Sequence, residues 1–183
     1  FIGGTFTGTG TGTIGGSNAL PNNNYTNIAI TDINRGIDVA RFGTRAATPQ
    51  GNINGPVLSM QVFTHPQGGA LGTAAGDVLY IGGQFTNAFG VAAQNLVAFG
   101  FQTNPDFLVA QAVAGGIPGG VVRAMTVWDP PDINGQTLNP VLVIGGQFAV
   151  AGQNNIVTLT NQAAFAPIIA GGTGTNGTVR ALT

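Results

Sequence analysis

The sequence has no cysteine, no lysine and no glutamate, and its single histidine is His65. Without cysteine there is no disulfide framework, no zinc–thiolate site and no thiol chemistry. One histidine does not make a histidine-based metal or catalytic cluster. The charges are five Arg and six Asp, 6% of 183 residues, and the net charge is −1. That balance excludes a nucleic-acid binder, which needs a basic patch to neutralise phosphates. Long apolar runs are missing too. Gly, Asn, Gln or Pro interrupts every stretch before 18 residues, so no membrane span is expected. The chain opens on Phe1 with no basic segment before a hydrophobic one, which reads as a mature product, a processed form or a segment of something longer.

What is present points to a folded, sociable chain. Leu, Ile, Val and Phe make 51 of 183 residues, above the range of disordered sequences, although Gly and Pro make 41. The length suits one domain with a real core. Low charge gives little colloidal repulsion and favours association. The absence of lysine also removes the commonest guard of an exposed strand edge. Such a surface suits an extracellular assembly better than a crowded cytosol.

Self-comparison reveals an internal repeat. Ile-Gly-Gly-x-Phe occurs at Ile2-Gly3-Gly4-Thr5-Phe6, Ile81-Gly82-Gly83-Gln84-Phe85 and Ile144-Gly145-Gly146-Gln147-Phe148. An Asn-led string follows each copy: Asn27-Ile28-Ala29-Ile30, Asn95-Leu96-Val97-Ala98 and Asn155-Ile156-Val157-Thr158. A third string follows that one: Gly55-Pro56-Val57-Leu58-Ser59-Met60, Gly120-Val121-Val122-Arg123-Ala124-Met125 and Gly177-Thr178-Val179-Arg180-Ala181-Leu182. The chain is therefore read as one repeat domain, 1–183, with repeats at about 1–60, 78–125 and 141–183.

Each string reads as a strand. Residues 78–85 and 141–148 are β-branched and aromatic runs broken by a Gly-Gly pair, which marks a bulge or a close backbone approach. A weaker fourth strand is expected at Phe107-Leu108-Val109-Ala110 and Phe165-Ala166-Pro167-Ile168. No window holds an apolar period of 3.6, and 90–98 carries too much Gly and β-branching for a helix. Four short strands per repeat match a propeller blade in number, although a blade is usually only about 40–50 residues long. The excess is assigned to loops: the Thr-Gly run at 7–13 with its Gly- and Asn-rich continuation, and 129–140. The expected fold is all-β and β-propeller-like, three four-stranded blades completed by neighbouring subunits.

The run Leu/Val-Tyr-Ile-Gly-Gly-x-Phe, then Asn-Ile/Leu-x-x-Phe, then Gly-x-Val-x-Ala-Met/Leu resembles the "Tyr-Val-Gly-Gly-x-Phe" β-propeller repeats, of which the delta-sixty repeat is one subgroup. The resemblance covers all three repeats. It implies a propeller and an extracellular setting, as in secreted bacterial and fungal cell-surface proteins, and it supplies no activity. The family's usual Trp-Asp-Gly turn after the Asn string is absent, with Asp32-Ile33-Asn34-Arg35-Gly36 and Gly100-Phe101-Gln102 in its place.

The first and last strings are natural partners, because elsewhere the Val-Arg-Ala strand comes just before an Ile-Gly-Gly strand. Three blades are too few to close a propeller, which typically has about four to eight. A second copy would complete the pairing as a ring or, by open strand addition, as a fibre. A segment boundary inside a longer chain would give the same cut points.

The candidate residues read mostly as structure. Gly3, Gly4, Gly82, Gly83, Gly145 and Gly146 let the backbone bend or another strand pack closely, and Phe6, Phe85 and Phe148 are core. Arg123 and Arg180 occupy equivalent positions and are expected to pair with an Asp or a carbonyl. Asp129-Pro130-Pro131-Asp132-Ile133-Asn134-Gly135 and Asp32-Ile33-Asn34-Arg35-Gly36 have some oxygen-ligand character, making calcium the one conceivable cofactor, but the closing Glu is lacking. Otherwise no cofactor and no metal site is expected. Asn24 and Asn176 fit the glycosylation acceptor pattern, and the threonines from Thr5 to Thr13 could carry O-linked sugar. Ser17 and Ser59 lack an elbow motif and His65 sits in His-Pro, so no catalytic residues are assigned and no enzyme is expected. The reading is a secreted, non-enzymatic structural protein, a subunit or segment of a self-assembling fibre, filament or cell-surface layer. The alternative is a secreted glycan-binding propeller or adhesin, with Tyr25, Phe89, Phe101 and Trp128 as the candidate ring platforms.

Overall fold

The structure is a computed structural model and describes residues 2–10, 23–29, 53–64, 77–103, 106–132, 138–161 and 164–183. The described chain is all-β, with no helix. Its strands are β1 (Ile2–Gly10), β2 (Asn23–Ala29), β3 (Val57–Thr64), β4 (Asp77–Gly83), β5 (Asn87–Ala88), β6 (Val91–Ala92), β7 (Leu96–Thr103), β8 (Asp106–Ala112), β9 (Val121–Trp128), β10 (Val141–Val150), β11 (Gln153–Asn161) and β12 (Ala164–Ala166).

Two four-stranded antiparallel meanders dominate, β3-β4-β7-β8 and β9-β10-β11-β12, each in chain order. β1 pairs with β2, and β5 with β6. No sheet closes on itself among the described residues. The Gly-x-Val string opens each meander rather than closing it, so the hydrogen-bonded sheets are offset from the sequence repeats. The run at 7–10, expected as loop, is strand: β1 continues through Thr7, Gly8, Thr9 and Gly10 opposite Thr26, Tyr25, Asn24 and Asn23. Alternating threonine supplies the β-branched fit that its glycines lack.

The two meanders stack face to face. β4 reads Val78-Leu79-Tyr80-Ile81, apolar at every position, because both of its faces are covered. Val78 and Tyr80 enter a core shared with Val122, Met125, Leu142, Ile144, Phe148, Val157 and Leu159 of the next sheet. Leu79 and Ile81 enter a second core on the opposite face with Val57, Phe85, Val97 and Phe99. Tyr80 is completely buried between sheets, its ring 6.5 Å from that of Phe63. Tyr80→Ala is expected to cost about 3–5 kcal/mol, read as a lowered urea midpoint.

The Gly-Gly pairs sit where the ladder slips. Pairing of β10 with β9 shifts register between Gly145 and Gly146, and that of β3 with β4 shifts opposite Gly82 and Gly83. A Cβ on Gly83 or Gly146 would run into the backbone carbonyl of Pro56 or Val121, so the neighbouring strand crosses at van der Waals distance from bare backbone. The β5–β6 hairpin turns on Phe89 (φ 54°) and Gly90 (φ 80°), the two left-handed residues that a tight two-residue hairpin needs.

Candidate functional site

The polar residue that organises each sheet is the Asn of the Asn-led string. Asn95 adopts a left-handed backbone (φ 66°), open to Asn at small cost, and is 6% exposed. All four of its polar groups are used. Its N–H donates to the Phe85 carbonyl at 2.8 Å, and its carbonyl accepts from Gly83 N–H at 3.0 Å. Its Oδ1 accepts from Phe85 N–H at 2.8 Å, and its Nδ2 donates to the Ile117 carbonyl at 2.6 Å. Asn95 therefore fixes the bulge after Gly83 and also grips the segment that leads to β9 in the next sheet.

The arrangement recurs one repeat later. Asn155 is also left-handed (φ 65°). Its Oδ1 accepts from Phe148 N–H at 3.1 Å, and its Nδ2 donates to the Thr175 carbonyl at 3.0 Å. Beside each Asn a glycine of the gripped segment, Gly116 or Gly174, lies against the backbone of the preceding residue, Gln94 or Asn154. Farther along, Val122 and Met125 of β9 pack on Gly82, while Val179 and Leu182 pack on Gly145. A Cβ on Gly82 would lie 3.0 Å from Val122 Cβ and 3.2 Å from Met125 Cε. On Gly145 it would lie 3.0 Å from Val179 Cβ and 3.2 Å from Leu182 Cδ1. The chain thus builds the same joint twice.

An open cleft of about 470 Å³ lies at the first joint, among Asn54, Gln84, Thr86, Gln147 and the Gly119-Gly120 turn. Asn54 is committed to structure, since its Oδ1 accepts from Thr86 and Asn87 N–H and its Nδ2 donates to Thr86 Oγ1. Gln84 and Gln147, the variable residues of two Ile-Gly-Gly-x-Phe copies, are exposed and line this cleft together. Among the described residues no ionisable side chain lines it, and its amides and hydroxyl can hydrogen-bond a neutral ligand.

The other sequence candidates are scattered. Phe85 and Phe148 are buried, on opposite faces of the first meander. Gly3, Gly4 and Phe6 lie in β1, and Asn24 in β2, where only the backbone is described. Asn176 is exposed in the segment after β12. Phe89, expected as an exposed ring, is instead buried beside Phe99 at a centroid distance of 4.9 Å. Tyr25 lies in β2 and Phe101 in β7. Trp128 is 43% exposed but ends β9, about 23 Å along the strand from Val121 at the cleft. Among the described residues no partner of the expected kind meets Arg123 Nε, which is buried without a hydrogen bond, and Arg180 is exposed. Asp129 and Asp132 are exposed, and no group of three potential metal-binding side chains occurs among the described residues. The string at 32–36, residues 133–135, Ser17 and His65 lie outside the described residues. No helix among the described residues is long and apolar enough to cross a membrane.

Sequence reasoning passed over Asn95 and Asn155 as functional parts of the joint. The available signal was the same Asn at the head of three repeated strings, a residue type that tolerates the left-handed region. Comparison with known proteins finds no matching family model, no matching curated protein and no matching solved structure.

Proposed function

We propose that the chain is a non-enzymatic structural protein of an extracellular fibre or cell-surface layer, its stacked meanders acting as blades of a β-propeller-like array. The observation that carries this reading is the repeated joint. Asn95 with Ile117, Gly82, Val122 and Met125 is matched by Asn155 with Thr175, Gly145, Val179 and Leu182. A joint that recurs with the same parts can add units, and heterologous contacts of this kind generate rings or filaments. The likeness of the strings to the "Tyr-Val-Gly-Gly-x-Phe" repeats and the scarcity of charge support the same setting. The test is the mass and shape of the isolated chain, by light scattering across a concentration series with electron microscopy of the same samples. Discrete rings or long filaments are expected. A folded monomer at every concentration would overturn the reading.

The cleft favours a second reading, a glycan-binding module. Two exposed glutamine amides in an uncharged cleft suit a neutral, hydroxyl-rich ligand. On that reading, saturable glycan binding is lost in the Gln84→Ala/Gln147→Ala double variant and kept in Trp128→Ala.

A further inference from the structure

We propose that Asn176 is a site of spontaneous covalent modification: the Gly177 backbone nitrogen displaces the side-chain amide and leaves isoaspartate or aspartate. The fold withholds the same reaction from Asn54. Asn-Gly occurs three times, at Asn54-Gly55, Asn134-Gly135 and Asn176-Gly177. In this dipeptide the reaction is least hindered, because glycine puts no side chain beside the attacking nitrogen and leaves the backbone free to turn. Asn134 lies outside the described residues. The other two are held in opposite ways.

Asn176 and Gly177 form an exposed bend after β12. Among the described residues no hydrogen bond engages the Asn176 side chain or the Gly177 N–H, and a Cβ on Gly177 would meet nothing within 4 Å. The local bond, from Thr175 Oγ1 to the Gly177 carbonyl at 2.9 Å, spans the bend and engages neither reacting atom. Apart from water the reaction is self-contained. Gly177 N gives up its proton and bonds to Asn176 Cγ, the Cγ–Nδ2 bond breaks, and Nδ2 leaves as ammonia. Water then opens the succinimide ring, at Cγ to give aspartate or at the Asn176 main-chain carbonyl carbon to give isoaspartate.

Asn54 is exposed too, so exposure does not separate the two sites. Its Oδ1 accepts from Thr86 and Asn87 N–H at 2.9 Å each, and its Nδ2 donates to Thr86 Oγ1 at 2.8 Å. Its own N–H donates to the Asn87 carbonyl at 3.1 Å. Gly55 packs on bare backbone, where a Cβ would run into the Gln84 carbonyl. Closing the ring swings Cγ onto Gly55 N and breaks all three side-chain bonds. At Asn176 the same swing breaks none. The consequence there falls on the second joint. Asn176 lies between two anchors, the Thr175 carbonyl held by Asn155 Nδ2 and the Val179 N–H held by the Gly146 carbonyl. Isoaspartate adds one methylene to the main chain, about 1.5 Å between those anchors. Val179 and Leu182 then lose their register over Gly145.

The test uses protein from a host that adds no N-linked sugar, so that Asn176 keeps its free amide. The full chain is held at neutral pH, and its chymotryptic peptides, which separate residue 176 from residue 134, are followed by mass spectrometry. Labelling by an isoaspartyl methyltransferase distinguishes isoaspartate from aspartate. Asn176 is expected to convert about ten-fold faster than Asn54 or more, because three bonds open first at Asn54. In urea the two rates should approach one another. Gly177→Ala should slow conversion at 176 several-fold and leave Asn54 unchanged. In the isolated isoaspartate form the Val179 amide should exchange several-fold faster than in the parent, with the Val122 amide unchanged. Native conversion at Asn176 no faster than at Asn54 overturns the proposal. So does a rate difference that persists in urea, since sequence rather than fold then sets it. Isoaspartate at 176 with Val179 exchange unchanged overturns the link to the joint.

Discussion

Asn95→Ala is expected to lower the unfolding free energy by about 3–5 kcal/mol, a large share of the roughly 5–15 kcal/mol that holds a domain together. The side chain accepts from Phe85 N–H and donates to the Ile117 carbonyl. Removing it leaves both groups without that partner, at about 1–3 kcal/mol each. Alanine at φ 66° adds about 1–2 kcal/mol of left-handed strain. Asn95→Gly loses the same bonds without the strain and should be about 1 kcal/mol less damaging. Asn95→Asp keeps the acceptor for Phe85 but turns a buried carboxylate toward the Ile117 carbonyl, and should be worse than glycine at neutral pH. Urea unfolding of the three variants checks the order. An alanine variant within about 1 kcal/mol of the parent would show that the joint does not depend on this residue.

The second large effect concerns the glycines. Gly83→Ala and Gly146→Ala push a methyl into the backbone carbonyls of Pro56 and Val121, atoms that a rotamer change cannot move. Each is expected at or above the upper end of the roughly 1–3 kcal/mol range for overpacking. Gly82→Ala meets the side chains of Val122 and Met125, buried in the core between the sheets, and should cost about 1–3 kcal/mol. Gly145→Ala meets Val179 and Leu182 in the corresponding places, but these are half-exposed and belong to no sheet among the described residues. That segment can lift away, so the cost should fall below about 1 kcal/mol while 179–182 detach. Equal destabilisation by Gly82→Ala and Gly145→Ala would mean that 179–182 are held as firmly as β9.

Much of this architecture is legible in the sequence because its signals are local and repeated. Val78-Leu79-Tyr80-Ile81-Gly82-Gly83 announces a strand buried on both faces and then bent, and three ordered strings announce the repeat. The joint is harder to read because it depends on groups far apart in sequence. Nothing local says that Asn95 reaches the Ile117 carbonyl, 22 residues on. Composition misleads at 7–10, where alternating glycine suggests a loop although threonine and the pairing with β2 make a strand. It misleads again at Phe89, whose neighbours Ala88 and Gly90 suggest a surface turn. The turn does form, and it places the ring against Phe99. The cleft was not legible either, since its two free amides are the variable residues of motifs whose fixed residues are all structural.

The central claim is that the chain is a structural protein that assembles through joints of the kind it builds at Asn95 and again at Asn155. Light scattering across a concentration series tests it most directly. The account predicts a mass that rises with concentration to that of rings or filaments. A folded monomer at every concentration would contradict it.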